Sequence, residues 1–153
     1  MRRFPISSAD FSVHCHATED EGKILKAMET LLPKGAEIKR TVVEGHHGNP
    51  IIIFSSRVCD ENMLEEIWRK IVETLGREKT EEEVREKMDE SCSLSFRFDK
   101  QAAFGGALKL SSGEEPIKVK LKVTAYPARP DIAVKNLLET VGAIRRNTNG
   151  AGT

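Results

Sequence analysis

The stretch "IKVKLKV", residues 117–123, alternates without a break: Ile117, Val119, Leu121 and Val123 are apolar, and Lys118, Lys120 and Lys122 stand between them. A β-strand turns successive side chains to opposite sides, so this pattern fits a strand with one buried and one basic face and does not fit a helix. A second stretch obeys the same rule, with Leu94, Phe96 and Phe98 alternating with Ser93, Ser95 and Arg97. The chain is therefore expected to build a sheet covered on one side and open on the other.

The cover is legible as helices. Ile24, Leu25, Met28, Leu31 and Leu32 make one apolar stripe behind "TEDE", which reads as a capping box in which Thr18 caps the helix and Glu21 reaches back. Met63, Leu64, Ile67, Trp68, Ile71, Val72 and Leu75 make a stronger stripe between Asp60, an N-cap, and Gly76. "TEEEVREKM" reads as a short third helix with a second capping box, Thr80 and Glu83. "ARPDIAVKNLLETVG" reads as the closing helix, with Pro130 in its first turn, Val134, Leu137, Leu138 and Val141 inward and Gly142 as C-cap. "SVHCHA" is a short strand, and "EIKRTVVE" pairs antiparallel with "IIIFSSRV" through "GHHGNP".

The order is strand, helix, two strands, two helices, three strands, helix. It predicts a single α+β domain over residues 1–142, with an antiparallel sheet, helices packed on one face and a start like the split β-α-β plan. Residues 143–153 are expected to form a flexible tail. At 153 residues such a domain buries about 70% of the surface of its unfolded chain and needs no covalent staple. Cys15, Cys59 and Cys92 form no CxxC pair, which argues against a disulfide framework and for core or near-core cysteines in a reducing compartment. With no apolar run of spanning length, the expectation is a cytoplasmic protein with no membrane partner.

Charge carries the functional information through its distribution. Lys plus Arg and Asp plus Glu cancel at 24 each, but residues 60–90 hold twelve acidic and six basic side chains, and residues 91–129 hold seven basic and three acidic. Lys118, Lys120 and Lys122, joined by Arg97 and Lys109 if these share their side, would form a basic face suited to phosphates. The alternative is a solvated face whose lysines protect an edge strand.

Between the two alternating stretches lies "FDKQAAFGGALKL", residues 98–110, too long for a tight hairpin and too apolar for an idle loop. Asp99 can cap one helical turn of Lys100, Gln101, Ala102 and Ala103, with Phe104 as a buried plug and Gly105 and Gly106 returning the chain to the sheet. Lys100 and Gln101 would then stand at the end of the sheet, where a cation and an amide can meet phosphate, ribose or a base edge. His46, His47 and Asn49 are expected at a hairpin tip that can reach a groove.

Catalytic signatures are missing, and neither a cofactor nor a metal site is expected. His14 and His16 point to one side of a strand, but their spacing matches no zinc finger or metalloprotease pattern. Aromatic residues make up 5% of the chain, and Phe96 and Phe98 belong to the core, so no platform for stacking single-stranded bases is evident.

Taken together, "CHATEDEGKIL", "EGHHGNPI", "FDKQAAFGGALKL" and "KVTAYPAR" resemble the archaeal RNA-binding family described as a predicted exosome subunit. The resemblance implies an archaeal source, a fold like that of the large-subunit ribosomal protein that binds 5S RNA, and no catalytic activity. It carries Lys100 and Gln101 over from "DKQAAF", and His46, His47 and Asn49 from "GHHGNP". "FGG", with the extra Gly106, departs from the family pattern.

The sequence thus predicts a non-enzymatic protein that contacts structured or double-stranded RNA through backbone and shape. RNA-processing proteins, the exosome among them, are its candidate protein partners. The alternative is a protein-interaction subunit of an RNA-processing assembly whose acidic helices at 60–90 meet a basic partner.

Overall fold

The computed structural model describes residues 4–45, 48–111, 113 and 115–151, with side chains through residue 143. The elements run β1 (Ile6–Cys15), α1 (Glu21–Leu31), β2 (Lys39–Glu44), β3 (Pro50–Val58), α2 (Glu61–Leu75), α3 (Arg77–Lys87), β4 (Ser93–Phe98), α4 (Lys100–Phe104), β5 (Ile117–Val123) and α5 (Pro130–Ala151). This is the expected α+β class, with one antiparallel sheet of strand order β2-β3-β1-β5-β4. The chain's contacts gather in two compact units, one of Met1–Ala9, Cys59–Ser95 and Leu121–Thr153, the other of Asp10–Val58 and Phe96–Lys120.

In the first unit, α2 packs against α3 and α5, and α3 against α5. The stripe of α2 is buried at Leu64, Ile67, Trp68, Ile71 and Val72, and the Trp68 indole donates to Thr140 Oγ1 at 2.7 Å, which satisfies its buried N–H. Asp60 caps α2 as expected, accepting from the Met63 amide at 3.0 Å. α3 departs from its expected start. It begins at Arg77, directly after Gly76, whose φ of 84° suits glycine. Thr80 lies inside that helix and donates its hydroxyl to the Gly76 carbonyl at 2.7 Å, while Glu83 is buried and pairs with Lys87, so neither builds a capping box. α5 buries Ala133, Leu137 and Val141 and runs through Gly142 to Ala151. The expected C-cap at Gly142 is therefore overturned, since no turn interrupts the helix there.

In the second unit, α1 packs against α4, and β2 pairs with β3 from Lys39↔Ser55 to Glu44↔Pro50. The α1 cap is Asp20, which accepts from the Gly22 and Lys23 amides, so the reading of Thr18 as cap was two residues early. Its side chain is already the nearest acceptor to the open amides of the first turn. The buried face of α1 is Ile24, Ala27, Met28 and Leu31.

β1 begins at Ile6, well before "SVHCHA". Its alternation slips where Ser8 and Ala9 are both buried, and that break in period hid the first half of the strand. The three final strands of the sequence reading become two, because Leu110 makes only an isolated antiparallel bridge with Phe98. Cys15 and Cys92 are buried, whereas Cys59 is exposed just after β3, contrary to its reading as a core or near-core residue.

Candidate nucleic-acid interface

β5 is built as its alternation requires: Ile117, Val119, Leu121 and Val123 are no more than 2% exposed, and Lys118, Lys120 and Lys122 face solvent. β4 follows suit, with Leu94, Phe96 and Phe98 at 0% exposure and Arg97 exposed. The Phe96 and Phe98 rings lie 5.9 Å apart within the core and offer no base a stacking surface.

Lys109 joins this face through backbone geometry. The Asp99 amide donates to the Lys109 carbonyl and the Ser111 amide to the Arg97 carbonyl, both at 2.8 Å, around the Phe98↔Leu110 bridge. That register sets Lys109 on the same side as Arg97, the outward one, since Phe98 and Leu110 take the other. β5 is the neighbour of β4 in the sheet. Arg97, Lys109, Lys118 and Lys120 are exposed, and none makes an ion pair with a described residue. Lys122 is exposed as well, and its ammonium donates to the Ser91 carbonyl.

The turn beside them is a different kind of place. Asp99 caps α4 by accepting from the Ala102 amide at 2.9 Å. Gly106, at φ 91°, then takes a backbone conformation that favours glycine. The anchor is Ala103, fully buried, whose carbonyl accepts the Thr30 hydroxyl of α1 at 2.7 Å. Phe104, expected to be the buried plug, is half-exposed instead, with the Lys23 and Lys26 ammonium groups 5.3 and 5.4 Å from its ring centre. A ring under two cations is held by cation–π attraction at the surface and needs no burial.

Lys100 is drawn inward. Its side chain is 12% exposed, and its ammonium bonds the His14 carbonyl at 3.0 Å and both Glu19 oxygens at 3.2 and 3.3 Å. Burial raises the Glu19 carboxyl, but the His16 amide and the Lys100 ammonium outweigh it and hold the group below its usual range. Gln101 stays exposed. Asn49 is exposed beside the β2–β3 turn, where its carbonyl accepts from the Gly45 amide at 2.8 Å, and His46 and His47 lie outside the described residues.

His16, Glu19 and Glu115 bring one imidazole and two carboxylates within 4.8 Å of one another, the arrangement among the described residues that could hold a metal ion. His16 Nε2 meets Glu115 Oε1 at 2.5 Å, and the Lys100 ammonium already sits on Glu19 as a cation. Burial, then the charges of Glu19 and Glu21, push the neighbouring Cys15 thiol up, away from the thiolate a reactive cysteine needs. Sequence reasoning missed Glu19, Lys23, Lys26 and Thr30 as partners of the turn. The spacing of Lys23 and Lys26, three apart on one helix, was the available signal.

The first unit holds a cleft of about 600 Å³ lined by residues that include Glu61, Glu65, Glu139 and Tyr126, the last 96% exposed. No helix among the described residues is long and apolar enough to cross a membrane.

Comparison with known proteins gives this geometry a family. The chain is 36% identical over 132 residues to the RNA-binding protein PAB1135 of Pyrococcus abyssi, covering 81% of this chain and 86% of that one. Its fold is similar to that of Mth689, a DUF54 protein from Methanothermobacter thermautotrophicus, with a TM-score of 0.77, 33% identity and coverage of 90% and 98%. It is also similar to SSO0741 from Sulfolobus solfataricus, with a TM-score of 0.66, 26% identity and coverage of 87% and 98%. The model of the RNA-binding family matches residues 8–123, from the start of the sheet to the end of the lysine strand, and the chain belongs to that family.

Proposed function

We propose that this protein binds structured RNA, double-stranded RNA above all, through backbone and shape and without catalysis. The observation that carries the reading is the set of exposed cations on β4, β5 and the Leu110 bridge that have no ion-pair partner among the described residues. Like charges gathered on one side of a sheet repel one another, and a phosphate backbone relieves that repulsion while releasing its own counterions. Family membership and the name of the Pyrococcus relative point the same way.

Arg97, Lys109, Lys118, Lys120 and Lys122 supply the charge. Gln101, and at the hairpin tip His46, His47 and Asn49, supply orientation through hydrogen bonds to ribose and phosphate. Lys100 acts at one remove, fixing the α4 turn through Glu19 and the His14 carbonyl. Among the described residues this face exposes no aromatic side chain, which favours duplex geometry over splayed bases. The resemblance to the 5S-RNA-binding ribosomal protein and the link to the exosome belong to this proposal and rest on the motifs quoted above.

Anisotropy titrations against duplex RNA, single-stranded RNA and duplex DNA of equal length, at several salt concentrations, test it. Duplex RNA is expected to bind most tightly, with affinity falling steeply as salt rises. Equal binding to all three would sink shape recognition, and no binding at low salt would sink RNA binding.

One observation favours a second reading, an accessory subunit that meets a basic protein partner: the exposed Tyr126 at a cleft lined with carboxylates. Recovery of protein partners after nuclease treatment, lost in Tyr126→Ala, would support it.

A further inference from the structure

We propose that β2 is a self-complementary edge through which two copies of this chain join their sheets. β2 is the outermost strand of the sheet on its side. An open edge offers unpaired N–H and C=O groups, and proteins usually blunt it with a bulge, a proline or charged side chains. β2 has neither proline nor bulge, and its charged residues, Lys39, Arg40 and Glu44, carry both signs, so they guard the edge against a chance strand while leaving it open to a complementary one. Its six residues pair one for one with β3, and Val42 is 53% exposed and Val43 37%.

The register decides which groups the edge presents. The Gly45 amide donates to the Asn49 carbonyl, so Gly45 and Asn49 form a hydrogen-bonded pair. Such pairs alternate along an antiparallel ladder, so Val43 and Thr41 turn their N–H and C=O groups toward β3, and Arg40, Val42 and Glu44 turn theirs outward. Pro50 agrees with this assignment: it lies opposite Glu44, at a pair that asks for no N–H from it.

A continuous antiparallel sheet between two copies needs a two-fold axis perpendicular to the sheet, which sets a residue opposite its own equivalent. With the axis at Val42, that residue faces Val42 of the second copy. Arg40 then faces Glu44 of the second copy, and Glu44 faces Arg40 of the second copy. The three outward residues would thus complete roughly six backbone hydrogen bonds, two per opposed pair. All three side chains lie on one side of the sheet, so two opposite-charge pairs flank an apolar contact. A slip of two residues in either direction sets a charge against valine, and a slip of one turns the side chains to the wrong side. Arg40 already pairs with Glu21 in its own chain, and its five donors allow a guanidinium to serve a second carboxylate.

Light scattering with size-exclusion chromatography, from low to high micromolar protein, reads the mass of the full chain and of four variants. Wild type is expected to pass from monomer to dimer. Arg40→Glu and Glu44→Arg each oppose like charges twice and should weaken the dimer about tenfold. The double swap Arg40→Glu/Glu44→Arg restores opposite charges across the interface and should regain most of the affinity that each single reversal loses, the loss of the Arg40–Glu21 pair remaining. Val42→Pro removes an N–H that β3 does not use and should leave a folded monomer, checked by circular dichroism. A wild type that stays monomeric throughout would overturn the proposal, as would a dimer indifferent to the single reversals or one that the swap fails to restore.

Discussion

Lysines gather both on β5 and around the α4 turn, yet the structure uses their charges in opposite ways. On β5, Lys118 and Lys120 stand in solvent with no ion-pair partner among the described residues. In the turn, Lys100 reaches the Glu19 carboxylate and the His14 carbonyl, and Lys23 and Lys26 lie over Phe104. A cation with its counter-charge already beside it gains little from a phosphate, whereas one held among its like gains much. Local charge count therefore does not locate a candidate binding surface; the proposed one is where positive charge stays uncompensated.

Four variants sharpen that contrast. The largest effect is expected from Lys118→Glu/Lys120→Glu/Lys122→Glu: duplex-RNA affinity should fall at least about a hundredfold at moderate salt while the protein stays folded, because these side chains lie outside the core and only Lys122 makes a hydrogen bond, to the Ser91 carbonyl. Anisotropy and circular dichroism on one preparation check both halves. Lys100→Met should do the reverse, lowering stability in urea by about 1–2 kcal/mol while RNA affinity stays within about twofold, because it takes the cation from Glu19, leaving that carboxylate the His16 amide alone, and does not touch the strand face. Thr30→Val removes the hydroxyl bond to the Ala103 carbonyl and should cost about 1 kcal/mol by the same measurement.

The smallest effect concerns acid. Glu19 is held below its unfolded value of about 4.3, so its contribution is fully present above that pH and is lost as pH falls through the folded value. Unfolding monitored from pH 6 downward should show Glu19→Gln with a shallower acid limb than wild type.

Much of the fold could be read from the sequence because period and capping chemistry are local. β5 obeys its pattern residue by residue, the α2 stripe is buried at Leu64, Ile67, Trp68, Ile71 and Val72 with Met63 and Leu75 half-buried at its ends, and Asp60 and Asp99 cap their helices as read. What misled was local chemistry with two acceptable solutions. Thr18 with Glu21 and Thr80 with Glu83 both satisfy a capping box on paper, but Asp20 stands nearer the open amides and Gly76 frees α3 to start three residues before Thr80. Hydrophobicity alone points Phe104 inward, because the cations that cover it come from α1, some eighty positions earlier.

The candidate face divides along the same line. Lys118, Lys120 and Lys122 are visible from alternation, and Lys109 follows once the register at Leu110 is known. The engagement of Lys100 depends on Glu19, a contact between segments far apart in sequence that no local pattern announces.

The salt dependence of duplex-RNA binding tests the central contrast most directly, because the slope of log affinity against log salt counts phosphate contacts. Lys118→Ala/Lys120→Ala should lower the magnitude of that slope by about 0.7–0.9 for each lysine, and Lys100→Ala should leave it at the wild-type value. An unchanged slope in the double variant, or an equal loss in Lys100→Ala, would contradict the division between uncompensated and engaged charge.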